Sequence, residues 1–222
     1  NTKEHTIKLI SIERGIGVPV PGRNDDWITH TFRYGGAALT MQTVRNCFKL
    51  DVERYVRVNF NVVSKAIDKI GGIDIELTQA EAEHLNNAKK NYYESGSDIQ
   101  TVHAGTNHLN GDTAMAYARI RKIDSDWKRI ERQRTVIQAA INQVKNSDIF
   151  TLNALADAIL PMVQTNLTKA EITRLMLEVP AFLSEGSKME QMTIPTYETC
   201  WNSVGVDGRK MIGVDFEANA QI

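Results

Sequence analysis

The sequence is poor in cysteine, in paired histidines and in long apolar runs, and these shortages exclude several kinds of site. Only two cysteines occur in 222 residues, so Cys47 and Cys200 could pair but offer no disulfide framework. The five histidines show neither HxH nor HxxxH spacing, which gives no support for a zinc site. No signal peptide and no apolar run of about 18 residues is present.

Common catalytic motifs and a strong net charge are missing as well. The chain contains no GxxxxGK[ST] loop, no GxSxG elbow and no HExxH pair, so nucleotide hydrolysis, serine hydrolysis and zinc proteolysis have no support. Lysine and arginine (26) nearly balance aspartate and glutamate (27). A length of 222 residues without internal repeats predicts one α/β domain with a substantial core.

Positive charge is concentrated between Arg119 and Arg134. This stretch carries seven Lys or Arg against three Asp or Glu, a local charge of +4 in a chain of formal charge −1. The basic cluster is therefore a local feature and not a property of the whole chain.

The spacing within this cluster predicts two basic faces. Arg119 and Arg121 are two residues apart, which in an extended segment puts both guanidinium groups on the same side. Ser125 or Asp126 is expected to cap a helix. Three side chains fall at i, i+3 and i+4 on one face of that helix: Arg129, Arg132 and Gln133. The two faces could converge on a polyanion, because a guanidinium group binds phosphate oxygens bidentately.

A second interpretation of the cluster is a solvated basic face. Its charges would then form local ion pairs with Asp124, Asp126 and Glu131. Charge counting and spacing leave both interpretations open.

Strand-like and helix-like stretches alternate along the chain, which predicts a sheet with helices on its faces. The strand directions could be mixed. The predicted strands cover residues 7–11, 55–60, 73–77, 189–194 and 210–214. The predicted helices cover residues 39–48, 62–70, 79–88, 113–118, 126–144, 152–163 and 169–177. The polar segment 86–105 is expected to be a surface loop.

The stretch RIRKIDSDWKRIERQR (residues 119–134) resembles the signature of the LytR-CpsA-Psr family of cell-wall glycopolymer ligases. That signature is R-x-R, an acidic loop, an aromatic residue and R-x-x-R-Q. Further matches follow in the family's order: LISIERGIGV (9–18), ITHTFRYGG (28–36), YVRVNF (55–60), IGGIDI (70–75) and HLNGDTAMAYARIR (108–121). The resemblance is close over about 5–145 and looser over 146–222, and it implies a single domain over 1–222.

The resemblance implies a fold and a reaction. The fold is α/β/α, a central mixed β-sheet flanked by helices on both faces, with a hydrophobic tunnel for lipid. The expected reaction is a phosphotransfer that moves a glycopolymer, such as teichoic acid or capsule, from undecaprenyl pyrophosphate onto a peptidoglycan hydroxyl, with pyrophosphatase as a side activity. The expected location is the extracellular face of the bacterial membrane, reached through one N-terminal helix outside the printed sequence.

The resemblance also assigns the pyrophosphate to particular side chains. The six that match the family's motifs are Arg14, Arg119, Arg121, Arg129, Arg132 and Gln133. Arg14, Arg119, Arg121 and Arg129 are the expected catalytic residues. Arginines with a divalent metal suit phosphoryl transfer, which needs positioning and charge neutralisation more than a covalent nucleophile. The implied metal is magnesium.

The chain departs from the family at several positions. Gly15 follows the loop arginine where the family usually has aspartate, and Trp27 and Thr29 replace a lysine and an asparagine. The family's first core strand, with its metal-binding aspartate, has no counterpart. The metal ligands are therefore unknown, and Asp124 and Asp126 fit the roles of loop and cap residues better than that of substitute ligands.

Two apolar stretches admit two interpretations. ADAILPMVQTNL (156–167) and ITRLMLEVPAFL (172–183) are apolar over much of their circumference. Their periodicity favours ordinary core helices, whereas the resemblance favours the wall of a prenyl tunnel. Met162 and Met176 suit either, because methionine fills cores and adapts to lipids.

Two alternatives to a transferase remain open. One is a polyprenyl-pyrophosphate binding module without turnover, which the glycine at position 15 favours. The other is a regulator whose basic face binds nucleic acid, which the overall charge of −1 and the absence of a recognition-helix pattern disfavour.

Overall fold

The computed structural model describes residues 6–91, 97–121, 123–145, 147, 149–183 and 188–220. These residues form two compact units. Unit 1 is built from the described parts of residues 1–55, 166–168 and 188–222. Unit 2 is built from the described parts of residues 56–165 and 169–187.

Helices and strands alternate along the described residues. The helices are α1 (Ile28–Phe48), α2 (Phe60–Lys69), α3 (Gln79–Asn91), α4 (Gly111–Ala118), α5 (Asp126–Lys145), α6 (Ile149–Ile159), α7 (Lys169–Leu183) and α8 (Phe216–Ala220). The strands are β1 (Thr6–Ile12), β2 (Gly17–Val18), β3 (Asp26–Trp27), β4 (Val56–Arg57), β5 (Ile73–Leu77), β6 (Gly105–Leu109), β7 (Gln164–Thr165), β8 (Lys188–Ile194), β9 (Cys200–Val204) and β10 (Lys210–Val214). Short 3₁₀ turns cover Leu160–Met162 and Tyr197–Thr199.

Unit 1 is held together by a strand pair that joins distant parts of the sequence. β1 runs parallel to β8, from Thr6 opposite Lys188 to Ile12 opposite Ile194. β9 and β10 form an antiparallel hairpin, and β2 pairs antiparallel with β3. The main cluster of buried apolar residues in this unit consists of Ile16, Val18, Val20, Ile28, Val44, Cys47, Phe48, Ile194 and Val214. Cys47 and Cys200 are both free thiols, so the pairing that the sequence left open does not form.

Unit 2 has its own core around the antiparallel pair β5 and β6. Along β5, Ile73, Ile75 and Leu77 are buried while the alternate residues are exposed, as the two-residue period of a strand requires. Helices α2, α4 and α5 pack on this pair. The core residues include Ile67, Leu85, Leu109, Ala114, Ile120 and Val136. Side chains of asparagine cap two of the helices, since Asn59 accepts from the Val62 amide and Asn110 from the Thr113 amide, each at 2.9 Å.

The predicted α/β class is confirmed, and β5 and β10 have the predicted bounds. Within the described residues the strands are hydrogen-bonded in pairs, as five two-stranded sheets. Three of these pairs lie in unit 1 and two in unit 2, and a parallel bridge joins Ile16, just before β2, to Ile212 of β10.

Two local predictions need correction. The predicted strand 55–60 is reduced to Val56–Arg57, because the Asn59 cap starts α2 at Phe60. The predicted loop 86–105 is helical up to Asn91, since α3 continues beyond the expected end at residue 88. Residues 92–96 of that segment lie outside the described part of the chain. Strand β6 was not predicted, because GTNHL has a glycine, three polar residues and one apolar residue.

Helices α6 and α7 differ from the rest of unit 2 because none of their described side chains is fully buried. Phe150 is 80% exposed and Leu177 77% exposed, although both are large and apolar. An ordinary core helix buries an apolar stripe, whereas the described apolar residues of these two helices are half-buried or exposed, and Leu155 packs against the core of unit 2. Among the described residues, no helix combines the length and the hydropathy that crossing a membrane demands.

We expect Gly111→Ala to lower the free energy of unfolding by about 1–3 kcal/mol, the usual cost of overpacking. A Cβ at Gly111 would lie 2.0 Å from the Ser64 carbonyl oxygen, and this backbone of α2 cannot move without disturbing the core. Chemical denaturation measures the change. Gly15→Ala is the control, because its nearest neighbour would be 3.7 Å away. Equal stability of the two variants would contradict the packing argument.

Candidate functional site

The R-x-R segment follows α4 directly. Arg119 is the C-cap of this helix, with φ −102° and ψ −1°, so the predicted extended conformation does not include it. Ile120 is buried at 2% exposure, while Arg119 and Arg121 are exposed. Two exposed arginines therefore flank a buried residue, and the extended segment that was predicted to place both on one side does not include Arg119. The Arg119 guanidinium lies 4.6 Å from the ring centre of Phe60 at the start of α2, within cation–π distance.

The helix that carries the other predicted residues begins where the sequence indicated. The Ser125 hydroxyl accepts from the Lys128 amide at 3.4 Å, and α5 starts at Asp126. Arg129 and Arg132 are buried, at 6% and 4% exposure. Gln133, which was predicted on the same helix face, is exposed to solvent.

Arg132 is fixed in a buried ion-pair network. Its Nε donates to Glu81 at 2.7 Å, and its two terminal nitrogens donate to the two oxygens of Asp124. Nη1 also reaches the Ile120 carbonyl oxygen at 3.5 Å. These contacts connect α5 with the start of α3 and with the R-x-R segment. The pKa of Arg132 is raised because, although burial alone would lower it, hydrogen bonds from its guanidinium to Asp124 and Glu81 outweigh that effect.

Glu81 is a site residue that sequence reasoning missed. Its Oε2 accepts from the amide and the hydroxyl of Thr78 at 3.0 and 2.9 Å, and the Thr78 hydroxyl accepts from the Glu81 amide at 3.3 Å. Burial alone would raise the pKa of Glu81, but these bonds and that from Arg132 hold it below its ordinary value. Thr78 and Glu81 form the T-x-x-E pattern of a capping box. This pattern predicts the start of a helix and not a contact with Arg132.

Arg14 lies in unit 1, whereas the other five predicted residues lie in unit 2. Its guanidinium is 5.9 Å from the centre of the Trp27 ring, and the Arg209 guanidinium is 5.4 Å from the same ring. The indole nitrogen of Trp27 donates to the Lys210 carbonyl at 2.9 Å. The tryptophan at the position of the family's lysine is thus a platform for two arginines.

A polar network stands beside that platform and was not predicted. Asp26 accepts from Tyr34 at 2.6 Å, from the Trp27 amide at 2.7 Å and from Arg209, and contacts the His30 ring nitrogen at 3.0 Å. Burial alone would raise the pKa of Asp26, but the bonds from Tyr34 and His30 hold it well below the ordinary range. Asp26 is therefore a carboxylate that fixes the residues around Trp27.

Unit 2 contains an apolar cavity of about 360 Å³. α6, α7 and the turn between them supply most of its lining, and α2 and α5 supply Ala66 and Val144. The other lining residues are Leu152, Leu155, Ala156, Ile159, Leu160, Met176, Val179 and Pro180. Apolar side chains of α6 and α7 line this cavity instead of packing fully into the core. This position accounts for their partial exposure.

The described residues include no group of three or more His, Cys, Asp or Glu side chains placed to hold a metal ion. Asp124, one of the two acids considered as substitute ligands, instead pairs with Arg132. The side chain of Asp126 lies outside the description. Magnesium therefore stays a prediction of the resemblance.

We expect Arg132→Met to lower the free energy of unfolding by about 3–5 kcal/mol, because it leaves Glu81 and Asp124 without their buried partner. Lys128→Met is the matched control on the same helix. Its pair with Glu131 is exposed, so its loss should cost less than about 1 kcal/mol. Urea unfolding of both variants measures the difference. Similar small losses would show that the network is not a structural centre.

Relatives of known name match most of this chain. The polyisoprenyl-teichoic acid–peptidoglycan teichoic acid transferase TagU of Halalkalibacterium halodurans is 34% identical over 171 residues, which cover 75% of this chain and 52% of that protein. The transferase TagT of Bacillus subtilis is 29% identical over 199 residues, 89% of this chain and 59% of that protein. The chain thus spans about half the length of the curated relatives it matches.

Solved structures agree with these sequence matches. A structure of TagT bound to LIIa-WTA covers 100% of this chain with a TM-score of 0.77 and 25% identity, over 78% of that chain. A TagT structure with bound octaprenyl pyrophosphate lipid gives a TM-score of 0.72 at 22% identity, over 100% of this chain and 77% of that one, which supports the fold alone. The LytR_cpsA_psr family model matches residues 1–221, and the chain belongs to this family.

Proposed function

We propose that this chain is the transfer domain of an enzyme that moves a glycopolymer of the teichoic acid type from a polyprenyl pyrophosphate carrier onto peptidoglycan. The observation that carries the proposal is that α2 lines the apolar cavity through Ala66 and contacts the exposed Arg119 through Phe60. Family membership and the names of the relatives support the choice of substrates.

Helix α2 sets the distance between the two features. Phe60, on which the Arg119 guanidinium lies, and Ala66, which lines the cavity, are six residues apart. Six residues of α-helix correspond to a rise of about 9 Å. An amphiphile with its apolar chain in the cavity would therefore have its charged end within reach of the R-x-R segment. A polyprenyl pyrophosphate has this distribution of apolar and charged groups.

The arginines divide the work between binding and positioning. Arg119 and Arg121 are exposed, so their guanidinium groups are accessible to pyrophosphate oxygens, which they would bind as planar, permanently charged donors. Arg132 is committed to Glu81 and Asp124 and holds the Ile120 carbonyl. Its role in the proposal is to fix the backbone between the two exposed arginines. Arg129, Gln133 and Arg14 stay expected ligands of the pyrophosphate by resemblance.

The proposed step is a phosphoryl transfer. A hydroxyl oxygen of peptidoglycan attacks the phosphorus that carries the glycopolymer, a new phosphodiester bond forms, and the bond to the bridging oxygen of the pyrophosphate breaks. Polyprenyl monophosphate leaves, and the hydroxyl proton passes to solvent. Arg119 and Arg121 would neutralise the negative charge that grows on the bridging oxygen, which is the main demand of such a reaction. The proposed location is the cell envelope, with membrane anchoring by a segment outside this chain.

We expect Arg121→Ala to reduce transfer of a labelled glycopolymer onto peptidoglycan by about 100-fold or more, the usual effect of losing one donor to transition-state charge. The control is Arg174→Ala, which removes an exposed arginine of α7. Both variants should unfold at the wild-type denaturant concentration. Assays run with and without magnesium also test the metal. Full activity of Arg121→Ala would defeat the catalytic assignment.

We expect Ala156→Trp to abolish binding of a short-chain prenyl pyrophosphate, because the indole would fill much of the 360 Å³ cavity. Native mass spectrometry measures the bound lipid. Leu177→Trp adds the same group to α7 at a side chain that is 77% exposed and should leave binding unchanged. Lipid binding by Ala156→Trp at the wild-type level would place the prenyl chain elsewhere. Binding without transfer in the wild-type protein would favour the binding module over the enzyme.

A further inference from the structure

Trp201, in the β9–β10 hairpin of unit 1, lies against the backbone of the facing strand. Gly213 is its direct partner in the strand register. A Cβ at Gly213 would lie 2.2 Å from Nε1, 2.4 Å from Cε2 and 2.8 Å from Cδ1 of the Trp201 ring. Three bonded ring atoms at similar short distances mean that the ring lies face-on over the glycine. Glycine is therefore required here for a close approach.

The ring of Trp201 remains largely accessible although one side is packed. The residue is 55% exposed, and it borders a groove of about 810 Å³. This volume is within the range of roughly 300–1,000 Å³ found for ligand sites. The groove lies wholly within unit 1, between the end of α1 and the start of α8. A tryptophan fixed on one side and open on the other is a rigid platform for a ring-shaped ligand.

Polar groups surround this platform. Asn46 and Lys49 come from α1 and its C-cap, and Asp215 and Glu217 come from the segment that starts α8. The Lys49 ammonium group donates to the Asn46 carbonyl oxygen at 2.9 Å, and one Asp215 oxygen accepts from the Ala218 amide at 2.9 Å. The second Asp215 oxygen and the exposed Glu217 carboxylate supply acceptors along the rim.

The charge of the groove limits the class of ligand. One lysine and two carboxylates give a net charge of −1, so an anionic ligand would be repelled. Carboxylates and an amide suit hydroxyl groups, because each accepts the hydrogen bond that a hydroxyl donates. A ring with one apolar face and a rim of hydroxyls fits the combination of tryptophan, amide and carboxylates.

We propose that this groove is a carbohydrate-binding subsite for a neutral glycan. One pyranose ring stacks on the open face of Trp201, and its hydroxyls donate to Asp215 and Glu217. Asn46 contributes an amide at the same rim. The groove shares no lining residue with the apolar cavity, and the subsite is proposed independently of the transfer reaction.

The test is titration of the folded chain with chitotetraose, a neutral β-linked N-acetylglucosamine tetramer, followed by isothermal calorimetry. We expect binding by the wild-type protein, at least tenfold weaker binding by Trp201→Ala, and binding by Trp201→Phe between the two. Glu217→Gln should weaken binding as well, because a carboxylate is the stronger acceptor. The control is Tyr197→Ala, which removes another aromatic side chain of unit 1, 70% exposed and outside the lining of the groove.

Several results would contradict a carbohydrate subsite at Trp201. Absence of chitotetraose binding at millimolar concentration, or equal affinity of the wild type and Trp201→Ala, would overturn the subsite. The role of Trp201 would then be limited to packing against Gly213. Equal binding of a glycerol phosphate oligomer would overturn the choice of a neutral ligand. If Trp201→Ala fails to fold, Trp201→Phe and Glu217→Gln decide, and wild-type affinity in both would reject the proposal. No lipid or transfer assay is involved, so the result stands apart from the proposed function.

Discussion

The arrangement of unit 2 depends on a buried cation that must be paired. Arg132 is 4% exposed, and a guanidinium group so far from water is tolerated only where carboxylates meet it with good geometry. Glu81 and Asp124 meet that demand from two different segments. The start of α3, the loop before α5 and the last residues of the R-x-R segment are therefore held at fixed positions around one side chain. These ion pairs order part of a cluster of positive charges that would otherwise repel one another.

The two units treat their arginines in different ways. In unit 2 a buried arginine neutralises carboxylates, which leaves the neighbouring pair Arg119 and Arg121 exposed. In unit 1 Arg14 and Arg209 lie over Trp27, while Asp26 binds Arg209 and orders the residues around that ring. Stacking on an aromatic ring leaves the N–H groups at the edge of a guanidinium free to form hydrogen bonds, and Arg209 donates to Asp26 in this way. Unit 1 thus orders part of its positive charge with an aromatic side chain.

Local patterns predicted much of the fold, and the cause of success is visible in particular elements. β5 alternates apolar and polar residues, and α5 starts at a serine cap, so both signals act within a few residues. The failures had a local and a distant cause. The Asn59 cap, a local signal, shortened a strand by starting a helix. β6 forms because its polar sequence pairs with β5.

The arginine motifs were found from spacing and resemblance, but their division into exposed and buried side chains was not. Glu81 is 51 positions from Arg132, and no pattern of period two or 3.6 connects them. Arg209 is still more remote from Asp26, at a separation of 183 residues. Such pairs are products of tertiary packing. A single sequence contains the residues without stating that they meet.

Among the described side chains of α6 and α7 none is fully buried, which links the stability of unit 2 to the molecule that occupies its cavity. A molecule that binds the folded form alone adds its binding free energy to that of folding, about 2.7 kcal/mol at a concentration 100 times its dissociation constant. A prenyl chain in the cavity would supply the apolar contacts that these helices lack among themselves. The bound molecule would then form part of the hydrophobic core of unit 2. The melting temperature of the protein would therefore depend on the concentration of that molecule as well as on the sequence.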